Sequence, residues 1–392
     1  MKRKDFSDIE ITVQNKKNTF FEHENYIAGT APFLRGINST MYLQKPLKTH
    51  ILVDFPSPEK SNTFIKEHLL KGYNFFVLDI NTGTSHETVS GVSTPSIEAM
   101  KILLHKIHLE KLSITLSTNN SILTVLSLFI AATKQLKIPQ ENLNLSVNLT
   151  PKNTIIDSYF QQNTVETILK YTIKNLPNFN TIAITTPITH TQKSTKTDVA
   201  YFLSATSKSI SYCISKGIKI DTIAKKISYN YTIKEDYFFE ISKIRATRML
   251  WAKMLLEFTP KEQQSLALQI HALNNFNNYN KVNTAFLSGI QSILSNNLIS
   301  DFIQQQTFVS KTVDPWAGSA TIEKLTEEIL NDTWQFFKEI QKNGDFSKQL
   351  QQESVTSSNS KAKENKENLL ELIIKKIEKY STLELLYKNI KN

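Results

Sequence analysis

A (β/α)8 barrel is the fold class this 392-residue sequence predicts, within the α/β class. Three observations carry the prediction. Short strand-like runs alternate with amphipathic helical runs through most of the chain. The runs are spaced as parallel strands joined by helices, not as hairpins. The chain is also long enough to bury one large core with extensions.

Taken in order, strands are expected near 51–54, 74–79, 112–117, 144–149, 180–185, 226–231, 266–272 and 292–298. Helices are expected between them near 58–71, 94–107, 119–136, 161–175, 196–217, 235–256 and 280–291, with 319–340 closing the series. The first helix has a clear start: Ser57 can cap it, Pro58 fits its first position, and Glu59 suits its first turn. The strands have an unusual texture. Leu112-Ser-Ile-Thr-Leu-Ser117 and Asn144-Leu-Ser-Val-Asn148 alternate aliphatic with small polar side chains, as does Asn180-Thr-Ile-Ala-Ile-Thr185. Parallel strands covered on both faces usually read as continuous apolar runs. The apolar face should therefore pack on the outer helices and the small polar face should line the barrel axis. Either hydrogen-bonded Ser, Thr and Asn fill that axis, or the axis is open.

Three segments follow. Residues 1–26 form an N-terminal extension, 27–345 the barrel, and 346–392 a polar linker with an amphipathic helix. From about 346 to 366 the sequence is rich in Gln, Ser, Asn, Lys and Glu, a linker composition. Over 367–388 Leu370, Ile373, Ile374, Ile377 and Tyr380 recur at helical spacing, so this helix should dock on the barrel or on a partner.

Composition excludes several classes. The net charge of +10 comes from lysines spread among acids, with arginine only at positions 3, 35, 245 and 248. No basic block with interleaved aromatics marks a nucleic-acid surface. No apolar run reaches membrane-spanning length, and the start Met1-Lys-Arg-Lys-Asp-Phe6 is not a secretory signal. Cys213, the only cysteine, sits in a helical setting and reads as a packed thiol. The expected location is the cytoplasm. No Cys, His and acid cluster has metal-ligand spacing, and neither a P-loop nor a G-x-G-x-x-G is present.

The most informative stretch is Asp314-Pro315-Trp316-Ala317-Gly318-Ser319 followed by Glu323-Lys324-Leu325-Thr326. The proline should push Asp314 toward an extended conformation, and Ser319 or Thr321 can cap the following helix. This D-P-W-x-G-S motif resembles a signature of the methylmalonyl-CoA mutase family. Three further stretches agree in the order that family uses: Ala31-Pro-Phe-Leu-Arg-Gly36 with Ser39-Thr-Met-Tyr42, Lys243-Ile-Arg-Ala-Thr-Arg-Met-Leu-Trp-Ala252, and Ser288-Gly-Ile-Gln-Ser292. Together the resemblance covers roughly 27–345. A structural reading of the surviving motifs is that Trp316 packs a helix and that Arg245 and Arg248 pair with acids on the 235–256 helix.

The resemblance implies a barrel whose axis receives the coenzyme A tail, and a reaction driven by adenosylcobalamin. The family's catalytic chains carry a second, cobalamin-binding domain with a D-x-H-x-x-G motif whose His ligates cobalt. No such motif occurs in these 392 residues, so no cobalamin-binding domain and no cofactor are expected on this chain. Where catalytic relatives continue F-R-P-W-T-I-R-Q-Y-A-G, this sequence reads Leu43-Gln-Lys-Pro-Leu-Lys-Thr-His-Ile-Leu52. Leu52 stands at the reactive Tyr position and His50 at the second Arg position. Asn148 stands where a catalytic Gln falls. Thr40, Met41, Lys45 and Asn148 are then vestiges of a substrate channel. His190, near the end of the 180–185 strand, is the one catalytic candidate, set against its reading as a solvent-facing loop histidine. His86 reads as part of a surface turn.

The resemblance thus implies a small, non-catalytic subunit of a heterodimeric methylmalonyl-CoA mutase. Its partner would be a large subunit that binds adenosylcobalamin and interconverts methylmalonyl-CoA and succinyl-CoA. The alternatives are a self-sufficient barrel enzyme, for which His190, Asp79 and Glu87 are the available acid/base groups, and a residual binding module for another acyl-CoA.

Overall fold

The computed structural model describes residues 21–83, 91–119, 121–149, 158–186, 195–272, 278–295, 299–342 and 369–379. Strands β1 (Lys48–Val53), β2 (Phe75–Asn81), β3 (Val92–Ser93), β4 (Ser113–Ser117), β5 (Asn144–Leu149), β6 (Phe179–Thr185), β7 (Ile227–Tyr231), β8 (Gln269–Ala272) and β9 (Ser292–Leu294) form one sheet. Their order is β1-β9-β8-β7-β6-β5-β4-β2-β3, and β1 also pairs with β2, which closes the ring. Every pairing is parallel. The short β3 hangs on the end of β2 outside the ring. The closed ring is thus the expected eight-stranded barrel.

Around it run α1 (Pro58–Leu70), α2 (Ile97–Leu103), α3 (Ile122–Gln135), α4 (Ser158–Asn175), α5 (Thr195–Ser215), α6 (Ile220–Lys226), α7 (Tyr237–Leu256), α8 (Tyr279–Leu287), α9 (Ile299–Gln306) and α10 (Ala320–Lys342). A last helix, α11 (Leu369–Lys379), follows. Ser57 caps α1 as expected, its hydroxyl accepting from the Lys60 amide at 3.3 Å.

Several boundaries differ from the sequence expectation. β1 begins at Lys48 because its polar first half pairs with β9, Lys48 opposite Ser292 and His50 opposite Leu294. The helix expected over 280–291 ends at Leu287. Gly289 takes φ +72, and the Ile290 amide reaches back to the Ala285 carbonyl, a left-handed helix stop. The strand expected over 292–298 ends at Leu294, and 296–298 lie outside the described residues. Two helices had no counterpart in the sequence reading: α6 and α9 are only one to two turns long, too short for a helical period to stand out. The helix expected over 367–388 is α11, with 367–368 and 380–388 outside the described residues. It docks on the barrel, with Leu370, Ile374 and Ile377 buried against α3 and α4.

The core lies between strands and helices. Outward residues such as Val53, Leu78, Leu116, Val147 and Ile182 are buried beneath the helices. Helix α3 is buried over its whole Ile122–Thr133 stretch, which its nearly all-apolar sequence requires. Cys213 is fully buried, and burial pushes its thiol up to about 12, in keeping with a packed side chain.

The four sequence motifs meet in one buried charge cluster. Arg245 on α7 donates to Asp314 and, at 2.6 Å, to Glu323 on α10. Its partners are therefore acids from the Asp-Pro-Trp turn and the next helix, not from its own helix as the sequence suggested. Arg35 reaches the same two acids at 3.8 and 3.9 Å and holds the Glu24 carbonyl at 2.6 Å. The Gly318 amide bonds Glu323 at 2.9 Å, and His23 Nε2 lies 3.0 Å from the Glu323 carboxylate. Arg248 takes carbonyls instead: Ser288 at 2.8 Å, Gly289, and Leu34 at 3.4 Å. Asp314 departs from the extended conformation its proline favours. It sits at φ +45, a strained backbone region that its bonds to Arg245 hold in place. Trp316 packs edge-on against Tyr237 and Phe238 at the start of α7, as a helix-packing residue should.

Burial pushes the Glu323 carboxyl up, but His23, Arg245 and the Gly318 amide outweigh it and hold the group at about 2, from an ordinary value of 4.5. Asp314 goes the other way, since burial outweighs Arg245 and Arg35 and raises it. A depressed carboxyl stabilises the fold above its unfolded pKa and loses that contribution as pH falls through its folded one. Glu323→Gln is expected to cost about 3 kcal/mol at pH 7, as breaking a buried ion pair does. The deficit should shrink as pH falls from about 4.5 toward 2. Chemical denaturation at several pH values measures it, and a deficit independent of pH would contradict the assignment.

Candidate binding site along the barrel axis

Because alternate strand residues share a face, one face of each strand points inward, and on β4, β5 and β7 that face is small and polar. Ser113 and Thr115 on β4, Asn144, Ser146 and Asn148 on β5, Asn230 on β7 and Ser292 on β9 surround a cavity of about 420 Å³. The sequence left a filled axis and an open axis as alternatives, and the axis is open. Ordinary barrels fill this space with branched aliphatics. Small side chains here leave room that polar atoms line.

The mouth lies at the N-terminal ends of the strands. Lys48 opens β1, Pro177 and Asn178 precede β6, and Lys225 and Lys226 precede β7. Lys226 donates to the Phe179 carbonyl and Lys225 pairs with Glu262. Lys48 lies 5.2 Å from the Phe75 ring centre. Burial, with Lys45 nearby, lowers the Lys48 ammonium below its ordinary value.

Further in, Asn230 donates its amide to the Asn148 Oδ1 at 3.0 Å and to the Thr185 hydroxyl at 3.2 Å, tying the neighbouring strands β5, β6 and β7 along one side of the wall. Two histidines share the wall. His50 stacks on Phe75 with centroids 5.5 Å apart, and His271 Nδ1 lies 2.7 Å from the Ser292 hydroxyl. What area the two rings expose faces the cavity. Burial, then His271 and Lys48, lowers His50 to about 3, while burial, then Lys48, lowers His271 to about 4. Both rings are neutral at physiological pH, so this section of the wall offers hydrogen bonds without charge. Its chemistry suits an uncharged, chain-shaped ligand that enters from the N-terminal side.

Of the residues singled out from sequence, Asn148 lines this cavity. Thr40 and Lys45 lie on the turn before β1, Thr40 bonded to Gln44 at 3.1 Å and Lys45 to Asn38 at 2.9 Å. Met41 is buried in the core, its side chain beside Gly36 and Gly289. Leu52 sits on β1 and is half-buried. Asp79 lies near the end of β2 with its carboxyl raised by burial and by Asp54. His190, His86 and Glu87 lie outside the described residues. The sequence reading missed His271 and Asn230. Their signal was present in the same two-residue alternation, in Gln269-Ile-His271 and Ser228-Tyr-Asn230. Among the described residues, no group of three or more His, Cys, Asp and Glu could hold a metal ion, and no helix is long and apolar enough to cross a membrane.

A parallel barrel with a ligand-sized polar axis open at its N-terminal end, stapled by the Arg-Asp-Glu cluster, defines the class. The chain belongs to the methylmalonyl-CoA mutase family, whose model matches residues 4–278 and 294–382. It is 30% identical over 386 residues to the methylmalonyl-CoA mutase large subunit of Porphyromonas gingivalis, covering 84% of this chain and 53% of that protein. It is 29% identical over 382 residues to the methylmalonyl-CoA mutase of Rhizobium meliloti, covering 83% and 53%. Against the large subunit of Propionibacterium freudenreichii subsp. shermanii the identity is 26% over 380 residues, covering 83% and 51%. The chain spans about half the length of these curated relatives.

The histidines give a direct check. The ring resonances of His50 and His271 should stay fixed between pH 8 and pH 5 in an NMR titration, because their protonation lies near 3 and 4. Midpoints near the ordinary 6.5 would contradict a desolvated axis.

Proposed function

We propose that this chain is a small, non-catalytic barrel subunit of a cytoplasmic methylmalonyl-CoA mutase. Its partner would be a large subunit that binds adenosylcobalamin and interconverts methylmalonyl-CoA and succinyl-CoA. One observation carries the reading: the three described arginines are all committed to the scaffold, and the axial wall presents neutral histidines. Arg35 and Arg245 bind Asp314 and Glu323, and Arg248 binds backbone carbonyls. His50 replaces an arginine fork at a position where the family resemblance places phosphate or carboxylate binding, and a neutral imidazole holds an anion less well. Leu52, at the position the resemblance assigns to a reactive Tyr, has no hydrogen-bonding side chain.

In this reading the cofactor belongs to the partner, and no step of the reaction is routed through this chain. Its contribution is to present a stable barrel surface to the large subunit.

A second reading, a residual binding module for an acyl-CoA, is favoured by the open polar axis. Thr40, Lys45 and the axial Asn148 would then be remnants of the channel and its approach.

Coexpression with a cobalamin-binding mutase subunit should give a complex that co-elutes and melts at a higher temperature than this chain alone. The chain alone, with adenosylcobalamin and methylmalonyl-CoA added, should form no succinyl-CoA. Turnover by the isolated chain would overturn the proposal. Micromolar acyl-CoA binding by calorimetry, with no co-elution, would favour the binding module instead.

A further inference from the structure

The buried charge cluster is unbalanced. Three guanidiniums, those of Arg35, Arg245 and Arg248, stand against two carboxylates, those of Asp314 and Glu323. A further acid, Glu327, is 36% exposed and reaches His23 rather than an arginine. Among the described residues Arg248 bonds only backbone carbonyls, although its side chain is fully buried. Burial lowers its guanidinium to about 10, with Asp314 only partly opposing the effect. A buried cation without its own counter-charge costs stability unless another anion meets it.

The same three side chains leave donors over. The Nε–H groups of Arg35, Arg245 and Arg248 are all buried, and none has a hydrogen-bond partner among the described residues. Arg35 Nε stands 3.8 Å from Asp314, beyond hydrogen-bond reach. A buried donor on a charged group is costly to leave unpaired.

These arginines also line one small cavity, together with Gly289 and Asp314. It shares no lining residue with the axial cavity. Its volume of about 10 Å³ suits a single atom-sized guest. Sulfate, phosphate and carboxylates are too large for it. A water molecule would offer two lone pairs to three N–H groups and leave the excess positive charge in place. A halide accepts from all three donors and cancels that charge. Asp314 is the one acid in the wall, and its own charge is already met by Arg245.

We propose that this pocket is a halide site, and that a chloride ion among Arg35, Arg245 and Arg248 completes the buried cluster. The ion would join the chain ahead of β1 to α7 and to the turn before α10. It would bind the folded chain alone and so stabilise it by mass action.

Melting of the full chain in sodium chloride against sodium gluconate, at constant ionic strength, tests the site. Gluconate is too large to enter. The Tm should rise saturably with chloride, and likewise with bromide. Arg35→Gln removes the guanidinium at the rim, where 12% of the side chain is exposed. It should raise the half-saturating chloride concentration about tenfold or more, as loss of a charged hydrogen bond does. A purely structural role would move the Tm in gluconate but not this concentration. Bromide-soaked crystals of the unaltered chain should show an anomalous peak among the three arginines, an arm that does not depend on how the variant folds. A Tm indifferent to halide would overturn the proposal, as would a halide dependence that Arg35→Gln leaves unchanged. A pocket holding only water in the bromide crystal would overturn it too. A bromide peak with no halide dependence in solution would mark an adventitious ion only, and would count against the site equally.

Discussion

The buried contact of Arg245 with Asp314 and Glu323 is the constraint on which the rest of this structure depends. Arg245 rises from the middle of α7, Asp314 from the turn before α10, and Glu323 from the first turns of α10. Joined, they fix how the last helix of the barrel meets the seventh. Arg35 and His23 bring the chain ahead of β1 onto the same acids. Arg248, one turn further along α7, holds the chain between α8 and β9 through the carbonyls of Ser288 and Gly289. Charges taken out of water cost several kcal/mol each unless well paired. Here Glu323 is paired on both oxygens, while the raised carboxyl of Asp314 marks where burial is only partly offset.

The axis follows the opposite rule. It carries many polar atoms and little charge. Asn148, Asn230 and Thr185 bond one another, His271 meets Ser292, and the histidines are held neutral by their surroundings. Cations gather at the N-terminal mouth, where Lys225 and Lys226 are already engaged. The same barrel therefore places its strong electrostatics in the scaffold and leaves its cavity to neutral hydrogen bonding. The proposed supporting role rests on that division.

Much of the fold was legible because it rests on periodicity. The aliphatic and polar alternation in Leu112–Ser117 and in Asn144–Leu149 anticipated the helix-facing core and the polar lining of the axis, but not whether that axis is filled or open. Pattern alone did not reveal features that depend on distant partners. The polar first half of β1 looked unlike a strand because its register with β9 is set by pairing, not by hydropathy. Asp314 defied the local preference imposed by Pro315 because Arg245, far away in sequence, holds it at positive φ. The partners of Arg245 were misassigned for the same reason. Within the candidate site, Asn148 was found from the family resemblance. His271 escaped notice although it obeys the same alternation, because its place in the axial wall is fixed by the register of β8 with β7 and β9.

The claim that one buried cluster organises this barrel is tested most directly by a double-mutant cycle on Arg245 and Glu323. Arg245→Met and Glu323→Gln should each destabilise the protein by about 3 kcal/mol, since each deprives a buried charge of its nearest opposite charge or of one of its two. The double variant should cost well under the sum, with a coupling of about 2 kcal/mol. Additive losses in chemical denaturation would contradict the account, because the two side chains would then act independently.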